Sequence, residues 1–443
     1  MMVTRPRRIR FDELHLALLT SLLALTGAWL VAIHDARTPV LSWPDLKVSS
    51  VFAAVILAVP LVWSIVDFRG DQIVFPVVAT LSVVGYVTLL RLSPDLGDGG
   101  RGSAQLDVRQ LIYVCGGMVI MLLVGRFFRH WHLLRRYQYT LLIVCIGLLL
   151  ATFVFGTTIN GARLWISVGP IQIQPSEVIK IGLVLFLAAY LDERREVMGS
   201  NWRLGPFNLP PVPYLLPMLL MWGTSLAVLV VENDLGSALL LFGIFLVMVY
   251  VGTGRSIYVL AAMVTFAIAC WISLALFDRI GIRVQNWLDP WRDPLDTGYQ
   301  QIQSDYAIAN GGALGVGIGN GQPSLIPAVE TDFIFSALAE ENGLLGTLAV
   351  LTLYAVLVFR GFTIGLRQAS GYLRMVAIGL SASLGIQAAV ILGGVLRLIP
   401  LTGITLPFVS YGGSSMLTNF LMIGLLANIS ASPADLSRRR AQS

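Results

Sequence analysis

Twelve runs of about 17 to 25 mostly apolar residues punctuate this 443-residue chain, near 14–34, 48–67, 72–91, 109–127, 138–157, 175–191, 213–231, 235–252, 256–277, 343–360, 374–396 and 404–428. Each is long enough to cross the hydrocarbon layer of a bilayer as a helix. Inside that layer only helices and closed barrels satisfy their own backbone groups. The expected fold is therefore all-α, a polytopic membrane bundle of about 12 transmembrane helices. Composition agrees: 56% of residues are hydrophobic and 12% charged, with a mean hydropathy of +0.78, which is not the balance of a water-soluble domain.

An even number of spans puts both termini on one side, and both ends are basic. The alternate loops "RFFRHWHLLRR" (126–136), "DERREVMGSNWRLG" (192–205) and "RGFTIGLRQASGYLR" (360–374) fall on that same side. Positive loops mark the cytoplasm, so the expectation is a multi-pass cytoplasmic-membrane protein with both termini cytoplasmic. The formal charge of +5 is explained by these loops, and no basic mass suited to nucleic acid is left over. The basic "TRPRRIR" precedes an apolar run without a small-residue cleavage site, which reads as a retained first helix. Cys115, Cys145 and Cys270 stand singly in apolar runs, a pattern that indicates neither disulfides nor zinc.

On this topology the segment 278–342 lies outside, and it is too long for an idle connection. Trp287, Trp291, Tyr299, Tyr306, Phe333 and Phe335 suggest elements resting on the outer interface. Its end, "AVETDFIFSALAEENG" (328–343), gathers Glu330, Asp332, Glu340 and Glu341 in a chain with only 25 acidic residues. At helical pitch Asp332, Ser336 and Glu340 share a face, stepping by about 40° each, while Glu341 points away. "NGARLWISVGPIQIQPSEVIKIG" (160–182) places Arg163 and Trp165 in an outer loop and Glu177 and Lys180 one turn apart inside a span. Such a pair either locks helices together or is functional. Glu232 and Asp234 in "VVENDLGSALL" either solvate a tight chain reversal or bind substrate or a cation. "RLIPLTGITLPFVSYGGSS" (397–415) has the irregular backbone that is tolerated at membrane depth when it is covered or lines a cavity. The glycines of "NGGALGVGIGNG" (310–321) match neither nucleotide-loop spacing, and the four histidines form no catalytic motif.

The stretches "NGARLWI", "QPSEVIK", "ENDLGS", "DPWRDPLDTGYQQIQS", "ETDFIFSALAEENG" and "PLTGITLPFVSYGGSS" resemble, in order, the motifs of the SEDS proteins, the RodA/FtsW/SpoVE group. The resemblance covers about 72–430. It implies a core of ten spans, with 1–71 contributing a cytoplasmic segment and two additional spans, and 431–443 a short basic tail. It also implies a peptidoglycan glycosyltransferase that polymerises glycan strands from lipid II, releases undecaprenyl diphosphate and works with a class B penicillin-binding protein in elongation or division. The chain reads Glu232-Asn233-Asp234 where the group usually has Glu-Pro-Asp, and Glu330-Thr331-Asp332 where a His commonly precedes Thr-Asp.

Glycan transfer needs a base for the attacking hydroxyl, and a carboxylate at a partly desolvated interface suits it. The departing diphosphate is already a stable anion and calls for positive charge. The resemblance thus points to Asp332 as the catalytic base. Arg163, Lys180, Glu177, Glu232, Asp234, Gln300, Ser304, Glu340, Ser410 and Tyr411 are candidates for substrate binding. The residues name no definite cofactor and leave a metal requirement open; a bridging divalent cation, if used, would be Mg or Mn, because the available ligands are oxygens. Two rivals are a lipid II flippase, which should carry charges through the cytoplasmic half of its path, and a non-catalytic scaffold, which should tolerate Asp332→Asn.

Overall fold

The computed structural model describes residues 10–35, 43–97, 106–159, 162–168, 171–194, 203–204, 207–208, 219–220, 222–223, 234–276 and 278–432. It is all-α apart from short hairpins. The long helices are α1 (Phe11–Asp35), α2 (Trp43–Ile65), α3 (Val74–Gly97), α4 (Leu106–Phe127), α6 (Gln138–Phe155), α7 (Pro175–Glu193), α8 (Leu235–Thr253), α9 (Ser256–Leu276), α12 (Ile334–Leu366), α13 (Gly371–Val395) and α14 (Gly413–Ala431). Shorter ones are α5 (Trp131–Arg136), α10 (Asp278–Leu288) and α11 (Tyr299–Gly311). Ten of the described helices are long and apolar enough to cross a membrane. Helix α7 has the length but carries Glu177, Lys180, Asp192 and Glu193. The span expected at 213–231 falls almost entirely outside the described residues. Apolar side chains left exposed, such as Leu260, Val264, Ile268 and Trp271 on α9, are what a lipid-facing surface requires.

The chain divides into two compact units, one drawn from Met1–Phe128, Asp293–Arg360 and Thr405–Pro433, the other chiefly from Arg129–Arg292 and Gly361–Ile404. In the first, α4 and α14 pack closely because small residues let the backbones approach: a Cβ at Gly424 would lie 3.1 Å from the Met121 backbone. Asn428 Nδ2 adds bonds to the carbonyls of Gly125 and Phe128 at 3.0 and 2.9 Å. The two amino-terminal helices are bound in through polar contacts, Thr20 to Thr80 and Ser49 to Tyr86, each at 2.9 Å. Arg10, ion-paired with Glu13, donates to the carbonyls of Phe68, Gly70 and Asp71 at 2.9, 3.0 and 2.8 Å.

In the second unit α7 is the central element, covered by α6, α8 and α13. The stretch expected as an outer loop before α7 is a three-stranded antiparallel sheet of β1 (Thr157–Ile159), β2 (Ala162–Val168) and β3 (Ile171–Ile173). A second hairpin pairs β4 (Arg203–Leu204) with β5 (Phe207–Asn208).

The span expected at 343–360 is part of a longer helix. α12 begins at Ile334 and is broken at Gly343, whose φ of +64° is non-helical. The break opens backbone groups that the glycine-rich segment fills: Val316 N and Gly317 N donate to the carbonyls of Glu340 and Glu341, both at 3.0 Å, and Leu344 N donates to Gly312 O at 3.0 Å. Gly315 needs its φ of +82° to lie against this opening. The glycines are thus a close-approach device. Gly343→Ala is expected to cost about 1–3 kcal/mol through the left-handed φ alone, seen as a lowered unfolding midpoint in detergent; an unchanged midpoint would contradict this account.

Candidate functional site

Asp332 lies in a tight turn two residues ahead of α12. Ala328, with φ at +56°, turns its carbonyl back to accept from the N–H groups of Thr331, Asp332 and Phe333 at 3.2, 3.0 and 3.4 Å. Phe333 and Ile334 are fully buried, so the half-buried Asp332 stands on an anchored base.

The irregular stretch before α14 braces that turn. Ser410 Oγ donates to Thr331 O at 2.6 Å and accepts from Leu406 N at 2.9 Å, while Tyr411 N donates to Glu330 O at 2.8 Å. Gln110 Nε2 holds Ser410 O at 3.1 Å, Tyr354 Oη holds Pro407 O at 2.5 Å, and Gln300 Nε2 holds Pro327 O at 2.7 Å. Ser410 and Gln300 are therefore bonded to the backbone around Asp332. Arg109 lies beside the Tyr411 hydroxyl, whose pKa burial raises most; Tyr113 and Glu330 add to that, and Arg109 opposes it. Glu330 Oε2 is buried with no hydrogen-bond partner among the described residues.

The face expected to carry Asp332, Ser336 and Glu340 is helical only for the last two, and it looks at α11. Ser336 Oγ meets Ser304 Oγ at 2.7 Å, and Glu340 Oε1 accepts from Asn310 Nδ2 at 3.1 Å and from Gln322 N at 3.2 Å. Ser304 is fully buried in this seam. Glu341 points elsewhere, to Gly319 N at 3.1 Å and Arg91 Nε at 3.4 Å. Both glutamates thus clamp the glycine segment.

The second unit holds the other charged cluster. Lys180, completely buried, donates to Glu177 Oε2 at 2.5 Å and Gln387 Oε1 at 2.8 Å. Asp234 caps α8, its Oδ1 accepting from Ser237 N at 3.0 Å and its Oδ2 from Ser237 Oγ at 2.5 Å. Burial raises the Asp234 pKa; the Ser237 bonds and Arg283 pull it down, and Glu177 pushes it up. Gly236 lets α8 approach the 402–404 backbone, where a Cβ would lie 2.6 Å from Thr402 O. Arg163 pairs with Thr158 in the β1–β2 hairpin, but its side chain and all of Glu232 lie outside the described residues.

Sequence reasoning missed Arg109, Gln110, Gln387 and Arg91. Gln387 and Arg91 carried a usable signal as polar groups within apolar spans, as did Arg109 and Gln110 at the start of the 109–127 run; only the fold brings the last two to Tyr411 and Ser410. Among the described residues no three or more His, Cys, Asp or Glu side chains converge as a metal site.

The family model described as the cell cycle protein FTSW_RODA_SPOVE matches residues 71–434. The chain is 39% identical over 367 residues to the peptidoglycan glycosyltransferase RodA of Mycobacterium tuberculosis, covering 81% of this chain and 78% of that protein. It is 35% identical over 327 residues to stage V sporulation protein E of Bacillus subtilis, covering 73% and 86%. Among solved structures it is similar to a chain from work on how a peptidoglycan synthase complex coordinates polymerization and crosslinking, with a TM-score of 0.65 and 32% identity over 85% of this chain and 99% of that one. It is also similar to the rod shape determining protein RodA of Thermus thermophilus, with a TM-score of 0.57 and 26% identity over 82% and 97%. Extent, identity and fold agree: this membrane protein belongs to the FtsW/RodA/SpoVE family of cell cycle proteins.

Proposed function

We propose that this protein is a peptidoglycan glycosyltransferase that polymerises glycan strands from lipid II at the outer face of the cytoplasmic membrane, in complex with a class B penicillin-binding protein. The observation that carries this reading is the Asp332 turn, a half-buried carboxylate whose backbone is fixed from Gln300, Ser410 and Tyr411. Such bracing fits a group whose position matters. In the reaction the attacking sugar hydroxyl forms the new bond to the anomeric carbon, the lipid diphosphate leaves with the electron pair of the broken bond, and Asp332 accepts the hydroxyl proton before releasing it to water.

The leaving diphosphate needs a cation within reach of this turn. Arg109, exposed and beside Tyr411, is a described group of the first unit that fits. Lys180 is occupied by Glu177 and Gln387 and acts by holding α7 to α13. Relatives named as peptidoglycan glycosyltransferases and a structural neighbour from a synthase complex support both the activity and the partner.

The test is purified protein with its penicillin-binding partner and labelled lipid II, read as glycan chains on a gel. Glycan formation is expected. No product from the intact pair would overturn the reading in favour of a flippase or scaffold. In the same assay Arg109→Ala should reduce kcat/KM by about 10- to 100-fold, the worth of a hydrogen bond to a charged group, with Arg109→Lys recovering part of it; an unaltered rate would remove Arg109 from the diphosphate site.

A further inference from the structure

Between α11 and the 320–326 stretch lies an open cavity of about 690 Å³. Its wall is unlike the apolar surfaces elsewhere in the chain. Four carboxamides, Gln303, Asn310, Asn320 and Gln322, line it together with Tyr306 and Glu340. Glu340 is only 5% exposed. Its Oε1 is bound by Asn310 and by Gln322 N, while Oε2 is buried with no hydrogen-bond partner among the described residues. Asn310 and Gln322 N thus hold the Glu340 carboxylate in a fixed orientation at the wall.

The lining specifies the chemistry of an occupant. Carboxamides both give and accept hydrogen bonds, as pairs of sugar hydroxyls and acetamido groups do. The Tyr306 ring is 54% exposed and offers a flat apolar face for the C–H side of a sugar ring. The wall presents no basic side chain, so a diphosphate does not fit it. Ile326, in the wall, precedes Pro327, whose carbonyl is held by Gln300 at the base of the Asp332 turn. Glu340 and Asp332 are eight residues apart along the chain, Glu340 on α12 and Asp332 in the turn that precedes it.

We infer that this cavity is a saccharide subsite that holds a repeat of the glycan strand away from the reacting bond, with the carboxamides of Gln303, Asn320 and Gln322 bonding sugar hydroxyl or acetamido groups and Tyr306 stacking on the ring. The inference rests on the polymerase reading and adds to it a second point of contact with the polymer.

The experiment uses the full chain in nanodiscs, with Asp332→Asn present so that nothing turns over. The probe is soluble, uncrosslinked peptidoglycan glycan fragments of several disaccharide repeats, with binding measured by calorimetry. The fragments should bind. Tyr306→Ala and Asn320→Ala, both at exposed positions, should each weaken binding by about tenfold at an unchanged unfolding midpoint. In the Asp332 background the same substitutions should shorten the chains made from lipid II. Equal fragment affinity in the Tyr306→Ala/Asn320→Ala double variant, or no fragment binding with the lining intact, overturns the subsite. Binding that depends on Tyr306 in a protein that makes no glycan overturns the polymerase reading and leaves a saccharide site.

Discussion

Asp332→Asn should abolish glycan formation from lipid II, lowering the rate by at least about 100-fold, while expression, unfolding midpoint and capture by the penicillin-binding partner stay as in the parent. The size follows from the value of a positioned general base, about 10²- to 10⁴-fold. The amide keeps the shape of the side chain and removes its capacity to take a proton. Folding should be spared because the turn is held by backbone groups: the Ala328 carbonyl accepts from three successive N–H groups, and Ser410 and Tyr411 bind the carbonyls of Thr331 and Glu330. Undiminished polymer from the mutant would take the base away from Asp332.

Lys180→Met is expected to lower stability by about 3–5 kcal/mol, because it strands the buried Glu177 carboxylate beside an apolar chain. Both residues are buried, and Lys180 bridges α7 to Gln387 on α13. The Glu177→Gln/Lys180→Met pair should recover most of that loss, since no charge is then left unpaired. Unfolding midpoints in detergent, read as a double-mutant cycle, measure it. The cycle also separates the two meanings an ionisable pair inside a span can have. Strong coupling in stability marks a helix lock, whereas a Lys180→Met protein of normal stability and lost polymerisation would mark a group that touches substrate.

Much of the architecture was legible in the chain. Apolar runs near 14–34 and 374–396 correspond to α1 and α13 within a few residues, because bilayer thickness sets helix length and leaves little choice of conformation. The 343–360 run was read too short for a definite reason. Ile334–Leu338 is apolar and continues the helix, but Glu340 and Glu341 kept it out of the apolar run taken as the span. Glu340 is hydrogen-bonded by Asn310, and Glu341 by Gly319 N with Arg91 as its ion-pair partner, groups far away in sequence.

The site divides in the same way. The family resemblance of the motifs, joined to the demand for a base, pointed to Asp332 from the chain. That Ser410 and Gln300 brace its turn, that Ser304 is sealed against Ser336, and that Arg109 reaches Tyr411 are consequences of packing. Hydropathy acts through local segments of about 20 residues, so the sequence by itself determined the membrane bundle, its helices and the acid-rich turn. Hydrogen bonds joining residues 79 to 300 positions apart, such as Ser410 to Thr331 and Gln110 to Ser410, leave no periodic trace in the chain, so only the tertiary structure decided which polar groups surround Asp332 and which merely hold helices together.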